Sequence, residues 1–501
     1  MSYIRNNGAL ILGIIIYSFI SLLVVFYNHH YYDDEIFNLS KMSWSVGEIF
    51  VSIQGGDVHP PLSYLINKFL FNTFSSYKAI LIFSIILNVS ALGYFYKFSE
   101  KKLDDNFSKI LLFILVFLSG GLLLWTNSVR WYAYWVPLFV ILYTYLLKYQ
   151  TLSTKNIVAI SLLLVVMTYI NYLTFLLLIS LSAYFIVSRR NDISFKNIVL
   201  FGLVYFSLSA YQIFVFLTVH IQNKESQTAD LLNSVLNAIY GVMNGGSVFI
   251  ADPFFLLYVI ATLIIIAVGF KNVFIEKKEN PLLWQSVGLL AVMITLMVIT
   301  GVSGKYRNNI ALSIPFYFII AYIFSYIKNV NIKRAYIIIV LLLSIVSVFN
   351  LVTHTNTSKN SFNTPISILD KLLSSSENKL LITYDPTIYF YFSNKGYKIY
   401  YLLEDQESMN ISQDTDVYLV KTYQGSLSNT KYKRVLSLYK TTSNVMDDKK
   451  TDKLGTDKYS NIKNKIPGNR PKINSVQMYV VHGTMVNDLK LPKWKNNIEF
   501  K

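Results

Sequence analysis

Tyr32-Asp33-Asp34-Glu35 follows an apolar run that ends near residue 27, and Asp57-Val58-His59-Pro60-Pro61-Leu62-Ser63-Tyr64-Leu65 begins 25 residues after Tyr32. Carboxylates at the mouth of an apolar segment, followed by a proline-opened helix, put polar chemistry at a bilayer surface. Pro60 and Pro61 suit a first helical turn, where a missing backbone donor costs nothing. Ile36-Phe37-Asn38-Leu39 and Leu62 to Leu70 read as helices lying in the interface. A helix cap would need only one carboxylate, and Asp33, Asp34 and Glu35 supply three.

The rest of the chain is composed for a membrane. Of 501 residues, 53% are hydrophobic and 15% charged, and apolar runs recur as far as residue 352, each near the roughly 20 residues a helix needs to cross hydrocarbon. Spans are expected at 8–27, 77–96, 109–126, 131–147, 156–171, 173–188, 198–219, 254–270, 282–302, 310–327 and 335–352, eleven in all. The run from 156 to 188 is too long for one span, and Asn171-Tyr172 is the natural place to turn. Tyr27-Asn28-His29-His30-Tyr31 offers no small-residue cleavage site, so the first run reads as a retained anchor.

Lys and Arg in the short loops set the orientation. With the N-terminus inside, the inner loops hold 16 and the outer loops 6, namely Lys41, Lys68, Arg130, Lys224, Lys305 and Arg307. The positive-inside rule then places the N-terminus in the cytoplasm, and an odd number of spans sends everything after residue 352 outside. The expected organisation is a transmembrane domain, 1–352, with a first outer loop at 28–76, and an extracytoplasmic domain, 353–501. The net charge of +17 is partly this asymmetry and partly the tail, which holds 22 Lys and Arg against 14 Asp and Glu. It is not a nucleic-acid footprint. A basic tail suits anionic lipid or an anionic surface polymer, and equally a plain solvated surface.

The chain has no cysteine, so an outward tail has neither a disulfide framework nor a thiolate metal site and depends on a core. Lys379 to Tyr384, Tyr397 to Leu402, Asp416 to Val420 and Val476 to Val481 read as short strands, with helices near 365–375 and 386–393, which makes a small α/β domain. The Lys-, Asp-, Asn- and Ser-rich segment 441–475 reads as an excursion from it.

Arg130, Lys305 and Arg307 all fall at span ends. They fit two roles, as headgroup anchors or as a phosphate grip, where Arg binds bidentately and Lys acts as a point charge. Residues 230–240 are apolar at helical spacing and precede Gly245-Gly246. They read as an interfacial helix, or as a gate on a glycine hinge. Most of the 38 Tyr and 34 Phe belong to interface belts and helix packing.

Together these features resemble the polytopic glycosyltransferases of the C-type fold that use polyprenyl-phosphate sugars, glycosyltransferase family 39-like, in the branch of the protein O-mannosyltransferases and the lipid A aminoarabinose transferase. The resemblance rests on Asp34-Glu35 after the first span, His59-Pro60-Pro61-Leu62-Ser63-Tyr64-Leu65, Ser128-Val129-Arg130-Trp131-Tyr132 and Lys305-Tyr306-Arg307. It implies a catalytic aspartate in the first outer loop, matching Asp34, with Glu35 and Asp57 as the other candidate acids. Such a base takes the proton of an acceptor hydroxyl as it attacks the anomeric carbon. Asp33, His59, Arg130, Tyr132, Lys305, Tyr306 and Arg307 are the candidate substrate-binding residues, with cations stabilising charge on the leaving phosphate. A divalent metal is left open, since some relatives use one and others none; Asp34, Asp57 and His59 are its candidate ligands. Relatives commonly carry a second acidic residue near Trp125-Thr126-Asn127-Ser128, and this chain has none there, which leaves the acceptor open.

The spans are nearly free of ionisable residues, which argues against a transporter. The expected protein is an inverting glycosyltransferase of the bacterial inner membrane. It would move one sugar from an undecaprenyl phosphate donor to a cell-envelope glycan or lipid such as lipopolysaccharide. The alternatives are a protein O-glycosyltransferase, a polysaccharide polymerase or a lipid-linked sugar transporter.

Overall fold

A computed structural model describes residues 2–25, 35, 38–39, 41–42, 44–54, 59–149, 153–188, 194–220, 231–244, 253–275, 281–304, 306–349 and 351–352, together with four strands of the tail. Its helices are α1 (Ser2–Leu23), α2 (Val46–Gln54), α3 (Leu62–Phe74), α4 (Tyr77–Ser99), α5 (Asn106–Phe117), α6 (Gly120–Thr126), α7 (Tyr132–Lys148) and α8 (Thr154–Ile170). They continue with α9 (Leu173–Ser188), α10 (Phe195–Val215), α11 (Leu231–Asn244), α12 (Pro253–Ile275), α13 (Pro281–Ile299), α14 (Ser313–Ser325) and α15 (Val330–Phe349). Two 3-10 turns, Val302–Gly304 and Tyr306–Leu312, join α13 to α14. By contact the chain divides into two compact units, residues 1–29 with 41–353, and residues 30–40 with 354–501.

The first unit is a polytopic helical membrane protein. Among the described residues, seven helices are long and apolar enough to cross a bilayer, and shorter apolar helices occupy the other four expected spans. Local sequence explains where helices begin. Asp105, Ser119, Ser153 and Ser194 each accept a backbone N–H from the first turn that follows, at α5, α6, α8 and α10, so an orphan donor is satisfied. The turn expected at Asn171-Tyr172 separates α8 from α9, and Asn171 Oδ1 accepts from Leu173 N at 2.8 Å. The run 109–126 is one of these seven by length and composition, and its helix is interrupted at Leu118 and Ser119, where Ser119 caps the restart as α6.

Every residue of α14 from Ser313 to Phe324 is buried, as expected of a helix apolar all round that lies inside a bundle. It packs against α5, α12 and α13, while α4 packs against α7 and α1. Small residues set two close approaches, of α1 to α5 and of α12 to α14: a Cβ on Gly13 would run into the Phe117 ring, and one on Gly269 would lie 3.0 Å from the Ile323 carbonyl.

In the first loop, α3 covers the stretch expected to be helical, with Pro61 at its N-cap. Helix α2 was not anticipated. It begins on a capping box, Ser45 N to Glu48 Oε2 at 2.6 Å and Glu48 N to Ser45 Oγ at 3.2 Å. The Ser45 N–H holds the Glu48 carboxyl below its ordinary pKa.

In the second unit, β1 (Lys379–Thr383), β2 (Lys398–Tyr401), β3 (Asp416–Thr422) and β4 (Val476–His482) form one sheet in the order β2-β1-β3-β4. Strand β1 is parallel to β2 and β3, with Leu380 opposite Lys398 and Val417. Strand β4 closes the edge antiparallel to β3, with Leu419 opposite Tyr479. The helices expected at 365–375 and 386–393 lie outside the described residues.

Candidate active site

Three segments distant in sequence meet at one end of the helical unit: the start of α3, the turn 127–131 between α6 and α7, and the 3-10 turns before α14. The turn 127–131 is buried and tied from several sides. Asn127 Nδ2 donates to Ser21 Oγ of α1 at 2.8 Å, Ser128 Oγ to Trp125 O at 2.8 Å, and Asn88 Nδ2 of α4 to Ala133 O at 3.1 Å. From α3, Asn67 Nδ2 donates to Val129 O at 2.8 Å, and the Tyr134 hydroxyl donates to Asn67 Oδ1.

Arg130 projects from this turn, 6% exposed. Its Nη2 lies 3.1 Å from His59 Nε2. A guanidinium only donates, so His59 accepts through Nε2 and is neutral, with its proton on Nδ1. The Arg130 Cζ also lies 5.5 Å from the Tyr132 ring centroid, a distance at which a π face attracts a cation. The contacts run on from Tyr132: its ring is 5.6 Å from that of Trp125, and Trp125 has the Arg307 Cζ 5.7 Å from its centroid. Tyr132 Oη donates to Asn308 Oδ1 at 3.4 Å, and Asn308 Nδ2 to Val302 O at 2.8 Å. His59, Arg130, Tyr132 and Arg307 thus form one continuous cluster, two guanidinium groups spaced by aromatic faces.

Helix α3 also fixes the chain leading into α2. The Lys41 Nζ is 4.1 Å from the Tyr64 centroid and 5.3 Å from that of Trp44, while Lys68 Nζ donates to Met42 O at 2.8 Å. Burial pushes the Lys41 pKa down to about 7, against the preference of both rings for an ammonium.

Of the other expected site residues, Asp33, Asp34, Asp57 and Lys305 lie outside the described residues, and Tyr306 is described in its backbone only. Glu35 is buried and falls in the second unit. For a divalent metal, no group of three His, Asp or Glu gathers among the described residues. The Nε2 of His59 is taken by Arg130, and a neighbouring guanidinium disfavours a second cation. Sequence reasoning missed Asn67, Trp125, Trp131 and Asn308 as site residues. The one legible signal was Asn67, an amide on the buried face of α3 with Ser63, Tyr64 and Leu70.

No protein-family model and no curated protein matches the sequence. Among solved structures, the chain is similar to ArnT from Cupriavidus metallidurans bound to undecaprenyl phosphate, at TM-score 0.54 and 10% identity, covering 97% of this chain and 100% of that one. The apo state of the same protein gives TM-score 0.55 over the same coverage. At this identity the likeness is one of fold.

Proposed function

We propose that the chain is an inverting glycosyltransferase that moves one sugar from a polyprenyl phosphate donor to an acceptor at the outer face of the bacterial cytoplasmic membrane. The observation that carries this reading is the cluster of Arg130, His59 and Arg307 in a fold shared with a protein solved bound to undecaprenyl phosphate. In this reading the transmembrane domain is 1–352, with the N-terminus in the cytoplasm and eleven spans, and residues 353–501 form an extracytoplasmic α/β domain.

The mechanism follows from the charges. The acceptor oxygen attacks the anomeric carbon while Asp34 removes its proton, with Glu35 and Asp57 the next candidates. The bond from that carbon to the phosphate oxygen breaks, and its electron pair stays on the lipid phosphate. Arg130, Lys305 and Arg307 stabilise that oxygen, and the aromatic walls of Trp125 and Tyr132 strengthen the attraction by excluding water. No metal is required by these steps. A cell-envelope glycan or lipid is favoured as acceptor by the basic tail and by the lack of an acidic residue at Trp125-Thr126-Asn127-Ser128.

The test is mass spectrometry of surface glycans, lipids and envelope proteins from cells carrying the native chain, Asp34→Asn, or a deletion. A sugar-sized mass present with the native chain alone supports the reading and identifies the acceptor class. No difference in any fraction, with both proteins inserted, overturns it.

A further inference from the structure

Trp131 is the neighbour of Arg130 in the turn before α7. It is 3% exposed, and its ring lies 3.8 Å from the Tyr132 centroid and 6.3 Å from that of His59. An indole N–H can only donate. Yet the buried Nε1 of Trp131 has no hydrogen-bond acceptor among the described residues. Trp135, one turn further on, donates to Thr174 Oγ1 at 2.9 Å. The bundle therefore satisfies an indole of the same helix end where nothing else is asked of it. A buried donor left without an acceptor is costly, and native interiors rarely keep one.

The neighbours of Trp131 explain what is missing. Arg130 donates only, and the Nε2 of His59 is engaged by Arg130. Two donors sit side by side in one turn, with the His59 imidazole beside both of them. An acceptor with several oxygens and negative charge completes such a cluster. Resting on the functional reading above, we propose that the Trp131 indole N–H donates a hydrogen bond to the phosphate of the lipid carrier, alongside the Arg130 guanidinium. Trp131 is then a binding residue for the donor, and it supplies direction where Arg130 supplies charge.

The experiment uses the purified full chain in detergent and measures binding of undecaprenyl phosphate, undecaprenol and inorganic phosphate by native mass spectrometry. Trp131→Phe keeps the ring and removes the N–H. Loss of one hydrogen bond to a charged oxygen should weaken undecaprenyl phosphate binding about 10- to 100-fold. Undecaprenol binding should not change, nor should the thermal midpoint of the ligand-free protein fall. Binding of inorganic phosphate weakened in parallel would show that the site reads the phosphate alone; weakening confined to the lipid would show that it reads the carrier's headgroup. Both outcomes support the proposal.

Arg130→Gln is the companion variant. If it weakens undecaprenyl phosphate binding while Trp131→Phe does not, the proposal is overturned and the reading of the site stands. If neither changes binding, the reading of the site fails as well. A lower thermal midpoint for Trp131→Phe with unchanged affinity means the N–H has an acceptor within the chain, which also overturns the proposal. A measurement without substitution is the nitrogen-15 indole spectrum of the wild type. One indole N–H should move downfield with undecaprenyl phosphate and stay in place with undecaprenol.

Discussion

Asn67 and Val129 are 62 residues apart in sequence and joined by a 2.8 Å hydrogen bond, in which the α3 side chain grips the backbone of the turn that carries Arg130. The same helix is preceded by His59, which contacts the Arg130 guanidinium. Helix α3 therefore holds that turn at two points, one on the backbone and one on the cation.

Asn67→Leu should be strongly destabilising. Asn67 is fully buried, and the substitution takes a buried hydrogen-bond partner from the Val129 carbonyl and from the Tyr134 hydroxyl, each at a cost of about 1–3 kcal/mol. Tyr134→Phe strands only the Asn67 oxygen and should cost less. In the double variant the stranded hydroxyl is gone, so its loss should fall below the sum of the two single losses. Thermal unfolding in detergent measures all three. Additive losses would show that the two side chains act independently.

His59 should be replaceable by an acceptor and not by a cation. Its Nε2 takes a hydrogen bond from Arg130 at 3.1 Å, and a hydrogen bond to a charged group contributes about 1.5–3 kcal/mol. His59→Gln keeps an acceptor oxygen and should retain most of the turnover. His59→Ala should lose about tenfold or more, and His59→Lys, which sets like charges together, at least as much. Equal activity in the alanine and glutamine variants would remove the hydrogen bond from the account.

Much of this architecture was legible in composition, and the reasons are physical. An apolar run in a chain with 15% charged residues has few fates other than a span. The four tail strands coincide with their β-branched and aromatic runs because such residues favour strands. The break at Ser119 was hidden because hydropathy averages over a cap. Helix α2 carried a readable signal, the Ser45 and Glu48 capping box, inside a segment too short and mixed for hydropathy to mark. Arg130, Tyr132, His59 and Arg307 were expected as candidate binding residues, the two arginines because a guanidinium suits a phosphate. Trp131 and Trp125 were not, because an indole becomes informative only when packing shows whether its N–H has a partner or its face a cation.

Lys41 gives the first loop a pH-dependent stability. Its folded pKa, about 7, lies below the ordinary 10.5, so between those values the unfolded chain binds the extra proton. Stability therefore rises with pH from about 7 toward 10, and the full cost of burying the charge is present below 7. The difference is on the order of a few kcal/mol, reduced by the rings of Tyr64 and Trp44, which favour the ammonium. Lys41→Met should raise the thermal midpoint at pH 6 and change it little at pH 9.5. A variant less stable at both pH values would show that the cation–π contacts outweigh burial.

Lys333 and Asp105 form the pair whose two halves should behave most differently. Lys333 Nζ is 2.8 Å from Asp105 Oδ2 and 3.3 Å from Ser325 O, tying the start of α15 to the cap of α5 and the end of α14. Burial raises the Asp105 carboxyl pKa, but the hydrogen bonds from Lys333 and Ser108 outweigh it and hold the group below the ordinary value. That stability is present above the unfolded pKa and lost as pH falls through the folded one. Asp105→Asn leaves Lys333, 6% exposed, as a buried cation without its counter-charge, at a cost of about 3–5 kcal/mol. Lys333→Met leaves a carboxylate that still accepts from Ser108 N and Oγ at 3.1 and 3.0 Å, so its loss should be the smaller. Asp105→Asn with Lys333→Met removes both charges and keeps the cap oxygen, and it should recover much of what Asp105→Asn loses. Thermal unfolding at pH 7 measures the three variants. A double variant no better than Asp105→Asn alone would mean that the cap, rather than the buried charge, carries the energy at this junction.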